Sequence, residues 1–261
     1  MDIDRVSAME VGLTVGDSIE RLEATATGFG FVEFGLAEAA DVPERIDDAR
    51  LQAACDELGL ALDIHLPFKQ DVATPVSEIN DAIVEYQRQL LSWAGSVGAR
   101  KAVLHGTVRN PSDVSLRPTF ASQLADIVEA GRDEDVEVVV ENVGHQKLGL
   151  PLSVLGDIAT EVDAPICFDI GHAYMEDGNE GIERFLRKYG ELVSHLHVHD
   201  ARKRGDTHLP VGAGEIDYEL LSTQLGSFDG TVAVEVFTDD VDLLTDTARR
   251  VATTFETDSD Y

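Results

Sequence analysis

The sequence predicts a single (β/α)8 barrel with a metal site at the C-terminal face of its strands, and three observations carry that prediction. Its 261 residues are close to the roughly 250 of a typical barrel of this kind and can bury a large core. Short β-branched apolar runs alternate eight times with longer amphipathic stretches, the pattern of repeated βα units around a parallel sheet. Six of the runs end on His, Asp or Glu, where an apolar strand would otherwise simply stop.

Taken in order, the first strand is MEVGLTV (9–15), and Asp17 before SIERL signals the start of a helix over 17–27. GFVEFG (30–35) follows, then a helix over 43–58 opened by Asp41 and by Pro43 in its first turn. LALDIH (60–65) and RKAVLH (100–105) flank a helical stretch at 76–97, and VEVVVE (136–141) follows another at 114–132. PICFDI (165–170) lies between helices at 151–161 and 180–189. VSHLHVH (193–199) precedes a helix at 217–225 capped by Asp217, and TVAVEVF (231–237) precedes the last helix at 239–255. The even spacing leaves no linker, so residues 1–261 read as one domain, with about 256–261 a frayed acidic tail. A doubly wound open sheet is the competing topology, but the first turn, VGDSIE, lacks the GxGxxG phosphate turn such folds usually carry.

The N-terminus MDIDRVSAMEVGLTV is acidic and has no long apolar run, which argues against a signal peptide or membrane span and for a cytoplasmic protein. Cys55 and Cys167 are too few for a disulfide scaffold and read as buried small apolar side chains. Acidic residues outnumber basic ones 50 to 20, a formal net charge of −30 spread through regularly patterned sequence. That reads as adaptation to high salt and offers no basic stripe for phosphates, so nucleic acid is not the expected partner. Self-association is compatible with this composition.

The polar strand ends are His65, His105, Glu141, Asp169 (with His172 three residues on), His197 and Glu235. In a barrel all of these converge above one axis, and carboxylates gathered so closely would repel unless a cation joined them. A divalent metal is the economical solution, with Mn, Co or Zn suited to mixed acid and imidazole ligands and Mg to a carboxylate and water shell. His195, His197 and His199 alternate along one strand, and Asp206 and His208, two apart in an extended segment, share a side and can serve a further metal. His145 is a loop histidine without an assigned role.

Glu141-Asn142, Asp169-Ile-Gly-His172, His197-Val-His-Asp200, Asp206-Thr-His208, Gly212-Ala-Gly214 and Glu235, in this order, resemble the xylose-isomerase-like TIM-barrel superfamily across essentially the whole chain. That superfamily holds sugar isomerases and epimerases and also the endonuclease IV group of abasic-site nucleases. Likeness to the ketose epimerases implies one metal held by Glu141, Asp169, His197 and Glu235, proton exchange by Glu141 and Glu235, and substrate binding by His172. His65 and His105 are further candidate substrate contacts. Those enzymes place an arginine six residues beyond the histidine ligand, where this chain has Lys203 between Arg202 and Arg204.

Likeness to endonuclease IV implies up to three zinc ions, with His65, His105, His172, Asp206 and His208 as additional ligands; Phe68 matches that group's aromatic residue. Against it stand His65-Leu-Pro-Phe and Asp206-Thr-His208, which depart from that group's Gly-Pro-Tyr and Asp-Arg-His, and the few cations near the site: Lys69, Arg109, Lys147 and Arg202 to Arg204. The expectation is therefore a metal-dependent isomerase or epimerase of a small sugar or sugar phosphate, with abasic-site cleavage as the alternative. A non-catalytic barrel would be expected to have lost a ligand, and none is missing.

Overall fold

A computed structural model describes residues 9–144, 147–203, 205–226 and 228–256; His145, Arg204 and the acidic tail 257–261 lie outside them. Eight parallel strands close into a barrel: β1 (Glu10–Gly16), β2 (Phe31–Gly35), β3 (Ala61–His65), β4 (Lys101–His105), β5 (Glu137–Glu141), β6 (Ile166–Asp169), β7 (Val193–Val198) and β10 (Thr231–Val234). Two further strands, β8 (Asp200–Arg202) and β9 (Gly205–Leu209), form an antiparallel hairpin directly after β7, in sequence whose polarity hides it from a hydropathy reading.

The helices are α1 (Ile19–Thr25), α2 (Val42–Arg45), α3 (Asp48–Leu58), α4 (Ser77–Ser96), α5 (Arg117–Asp133), α6 (Leu152–Val162), α7 (Ile170–Tyr189), α8 (Tyr218–Leu225) and α9 (Val241–Glu256). Three differ from the sequence expectation. Ser18, not Asp17, caps α1, its hydroxyl accepting from the Arg21 amide. The stretch expected as one helix over 43–58 is two, because Ile46 adopts an extended conformation and Asp47 caps a fresh start at α3. Helix α7 begins at Ile170, ten residues before the expected 180, with Asp169 as its cap and a break at Gly178, whose φ of 67° suits glycine. No helix among the described residues is long and apolar enough to cross a membrane.

Alternation along the strands decides what faces the barrel axis. Ile64, Leu104, Val140, Phe168, Leu196 and Val234 face outward and join the main core under the helices. Val103, Val139 and Cys167 form a separate buried cluster. Each precedes by two residues a polar strand end, His105, Glu141 or Asp169, so an apolar layer inside the barrel underlies a polar one at its C-terminal mouth. Deeper polar groups also lie inside: Glu33 and Asp63 are register partners on β2 and β3, and both are fully buried.

Candidate metal centre

Register places the strand ends on neighbouring rungs. His105 pairs with Glu141 and Asp169 with His197. Glu235, one residue past β10, is anchored by its amide donating to the Val198 carbonyl. The Nδ1 of His197 consequently lies 3.4 Å from a Glu235 oxygen, 3.8 Å from Glu141 and 3.9 Å from Asp169. Two more groups flank this point. His65 and His105 bring Nε2 to 3.3 and 3.1 Å of Glu141 Oε2. His172 and His208 bring Nε2 to 3.4 and 2.8 Å of the Asp206 carboxylate.

Several local devices hold these side chains. Asn142, buried, clasps the Asp169 backbone from both sides, its Nδ2 donating to the carbonyl at 2.8 Å and its Oδ1 accepting from the amide at 2.9 Å. Asp169 in turn accepts from the His172 amide and lies 3.3 Å from His199 Nε2. Glycine is required at 171, because a Cβ there would stand 2.0 Å from the His199 ring. The loop after β9 is tied down by Asp200, which accepts from the amides of Gly212 and Ile216. The His208 ring is sandwiched between His199 and Phe237, each 3.9 Å away and nearly parallel.

The electrostatics are those of anions crowded with imidazoles. Burial alone would push the Glu141 carboxyl up, yet His105 and His197 hold it well below the usual carboxylate range. Asp169 is lowered in the same way, burial being overcome by His172 and His199. Asp206 is lowered against burial by its bonds to His172 and His208. Burial opposes the charge on His172, but Asp169, Asp206 and Glu141 raise it well above the ordinary imidazole value. His105 goes the other way, lowered chiefly by burial.

The donor set also fits a metal. Glu141 Oε2, His197 Nδ1 and Glu235 Oε2 are buried and make no well-formed hydrogen bond among the described residues, a costly state that a cation between them would relieve. Carboxylates mixed with imidazoles suit Zn, Mn or Co.

A cavity of about 1060 Å3 opens over the centre, with His65, His105, Glu141, His172, Asp206 and Glu235 in its wall. Asp169 and His197 are fully buried beside that wall. Phe68 and Phe237 stand at the cavity with 54% and 71% of their surface exposed, so two apolar faces meet whatever enters. Lys69 and Lys147 line it too; Lys147 is ion-paired to Asp206 and 3.1 Å from His172 Nε2. Lys203 lies instead on the exposed turn of the β8–β9 hairpin and does not line the cavity, because the hairpin carries it outward. Arg202 is occupied with the Ala213 carbonyl, and Arg109 with Asp71.

Two residues escaped the sequence reading. Phe237 reads in the sequence as the last residue of the eighth strand, which in the structure ends at Val234 and leaves the ring beyond it at the cavity. Glu33 sits mid-strand on β2, yet its carboxylate meets His195 at 3.1 Å, His197 at 3.0 Å and Thr14 at 3.3 Å. An acid inside an otherwise apolar strand, FVEF, is the one signal that could have found it.

Comparison with known proteins agrees with this architecture. A crystal structure of a D-tagatose 3-epimerase-like protein superposes with a TM-score of 0.76 at 20% identity, covering 95% of this chain and 98% of that one. An uncharacterized protein of Methanocaldococcus jannaschii is 23% identical over 251 residues, 93% of this chain and 95% of its own length. A probable endonuclease 4 of Mycobacterium ulcerans is 24% identical over 203 residues, 73% of this chain and 77% of the relative. Residues 22–256 match the family model described as the xylose isomerase-like TIM barrel, and the chain belongs to that family.

Proposed function

We propose that the protein is a divalent-metal-dependent isomerase or epimerase of a small sugar or sugar phosphate. The observation that carries this reading is the placement of two glutamates. Glu141 ends β5 and Glu235 follows β10, two strands that β6 and β7 separate in the barrel, yet both line one cavity and both reach His197 Nδ1. Glu141, Asp169, His197 and Glu235 would hold one Mn, Co, Mg or Zn ion. Such an ion, when bound, polarises a carbonyl and its neighbouring hydroxyl and so acidifies the C–H between them. One glutamate then takes that proton and the other returns it to the substrate carbon. His65, His105 and His172 offer hydrogen bonds to substrate hydroxyls, and Phe68 and Phe237 cover its apolar face. The cavity volume is at the upper end of that usual for small-molecule sites.

A second reading, abasic-site phosphodiester hydrolysis with up to three zinc ions, is favoured by one observation. Two further donor groups, His65–His105–Glu141 and His172–Asp206–His208, flank the central one. Duplex binding would have to overcome a net charge of −30 with few free cations near the site.

Metal analysis of the purified protein, with turnover of a ketose panel in deuterated water and of an abasic-site duplex, separates the two. One ion per chain with deuterium entering the sugar next to its carbonyl supports the isomerase. About three zinc ions with strand cleavage and no exchange replaces it with the nuclease.

A further inference from the structure

Glu33 lies inside the barrel directly against His197 without being a candidate ligand of the central site. Its carboxylate is completely buried and sits where three donors converge: Thr14 Oγ1 on Oε1, and the Nε2 atoms of His195 and His197 on Oε2. A carboxylate only accepts hydrogen bonds, so each Nε2 facing it carries the hydrogen. For His195 this is consistent with its other face, where Thr231 Oγ1 lies 2.7 Å from Nδ1 and can donate to it.

For His197 the consequence is directional. Its Nδ1 faces Glu141, Asp169 and Glu235, all of them candidate ligands, and can contribute a lone pair only if the proton resides on Nε2. Two other histidines of the cluster follow the same logic with backbone acceptors. His65 and His208 each turn Nδ1 to a carbonyl, of Leu66 and Glu235, at 2.9 Å, and leave Nε2 for a carboxylate. His197 is the histidine whose orienting acceptor is a buried charge, and that charge comes from the far side of the barrel, β2, which supplies no strand-end ligand.

We infer that Glu33 is a positioning residue of the metal centre: it fixes the ring orientation and tautomer of His197 so that Nδ1 is presented to the ion, and raises that nitrogen's strength as a ligand. Outer carboxylates that orient a histidine ligand contribute about 10- to 100-fold to metal affinity. The inference rests on the metal reading of the site, and the test separates the two.

Metal-stripped wild-type protein and Glu33→Gln are titrated with Co2+, followed by calorimetry and by the visible ligand-field bands, and the melting temperature of each metal-free protein is recorded. The glutamine keeps the shape but removes the charge: both imidazoles meet the same carboxylate oxygen, so its amide presents the two of them with either a neutral acceptor or a donor, never with the charged acceptor of the glutamate. Affinity falling about 10- to 100-fold with altered Co2+ bands, in a variant that folds, supports the role. Wild-type affinity and bands in the variant overturn it. Should wild type itself take up no Co2+, the metal reading fails before this one is reached. If Glu33→Gln does not fold, Glu33→Asp takes its place, since it keeps the charge but withdraws it from His197 and carries the same expected loss. Long-range 1H–15N correlation spectra of the Zn2+-loaded wild type decide independently of any variant. A protonated Nε2 on His197 agrees with the inference, and a protonated Nδ1 refutes it.

Discussion

Asn142 is the residue whose removal should show most directly how the barrel wall builds the site. The β5–β6 backbone ladder stops at Glu141 and Cys167, and the Asn142 side chain continues it by one rung, supplying Asp169 with both an acceptor and a donor. Asn142→Ala removes two buried hydrogen bonds at about 0.5–1.5 kcal/mol each and strands the Asp169 amide, whose lost solvation adds about 1–3 kcal/mol. Because Asp169 is also the cap of α7, its carbonyl keeps a helical partner, so the expected total is roughly 2–4 kcal/mol. For a chain of this size that lowers Tm by roughly 5–15 °C.

Asn142→Asp isolates the hydrogen-bond pattern, since it leaves no cavity. The new carboxylate still accepts from the Asp169 amide but turns a second acceptor toward its carbonyl, so the variant is destabilised at pH 7. Protonation restores a donor. The introduced carboxyl therefore has a raised pKa in the fold, and its stability deficit shrinks as the pH falls through that value toward 4. Urea unfolding of wild type and both variants between pH 4 and 8 measures this. Variants within about 0.5 kcal/mol of wild type, or an Asn142→Asp deficit that grows on acidification, would refute the reasoning.

Three other perturbations have definite signs. Burial raises Asp63 to about 6, against the pull of Arg100 and with repulsion from Glu33. Between about pH 4 and 6 the folded state holds a proton the unfolded chain has lost, so this group costs stability as pH rises, up to about 3 kcal/mol above pH 6. Asp63→Asn should thus be the more stable protein at pH 7 by denaturant unfolding, with the gain fading below pH 4; a loss at pH 7 counts against it. Chelation with EDTA should lower Tm, and Co2+ or Mn2+ at about 100 times its Kd should restore about 2.7 kcal/mol, roughly 5–11 °C, by calorimetry. An unchanged Tm on addition of either ion contradicts the metal reading. Raising KCl from about 0.1 to about 2 M should raise Tm, because a net charge of −30 repels itself until screened; a falling Tm would set aside high-salt adaptation.

How much of this was legible in the sequence follows from the range over which each feature is determined. Strands of a closed parallel barrel are buried on both faces, so each appears as a continuous apolar run, and a polar residue at its end is conspicuous. That is why His105, Glu141, Asp169 and His197 could be singled out, and why the structure brings them together. Helix α7 was legible only in its second half. Its first half, IGHAYMEDGNE, carries Gly171 and Gly178, poor helix formers retained because His199 packs against one and the chain bends at the other.

Lys203 looked suitable from spacing alone, but a hairpin of five and three residues intervenes, and a hairpin reverses where spacing would point. Glu33 was beyond local reading altogether. Its histidine partners lie 162 and 164 residues away, and only closure of the barrel carries β7 to within reach of β2, across β10 and β1. Candidate ligands announce themselves at strand ends because an ion held there would have to be reachable from the mouth. The groups that orient them are set deeper, where alternation makes any inward polar residue look like an isolated error until the partner strand is known. Here the acid of FVEF on β2 answers HLH on β7, whereas Asp63, equally central in β3, answers Arg100, so the identity of the partner emerges only once the barrel is closed.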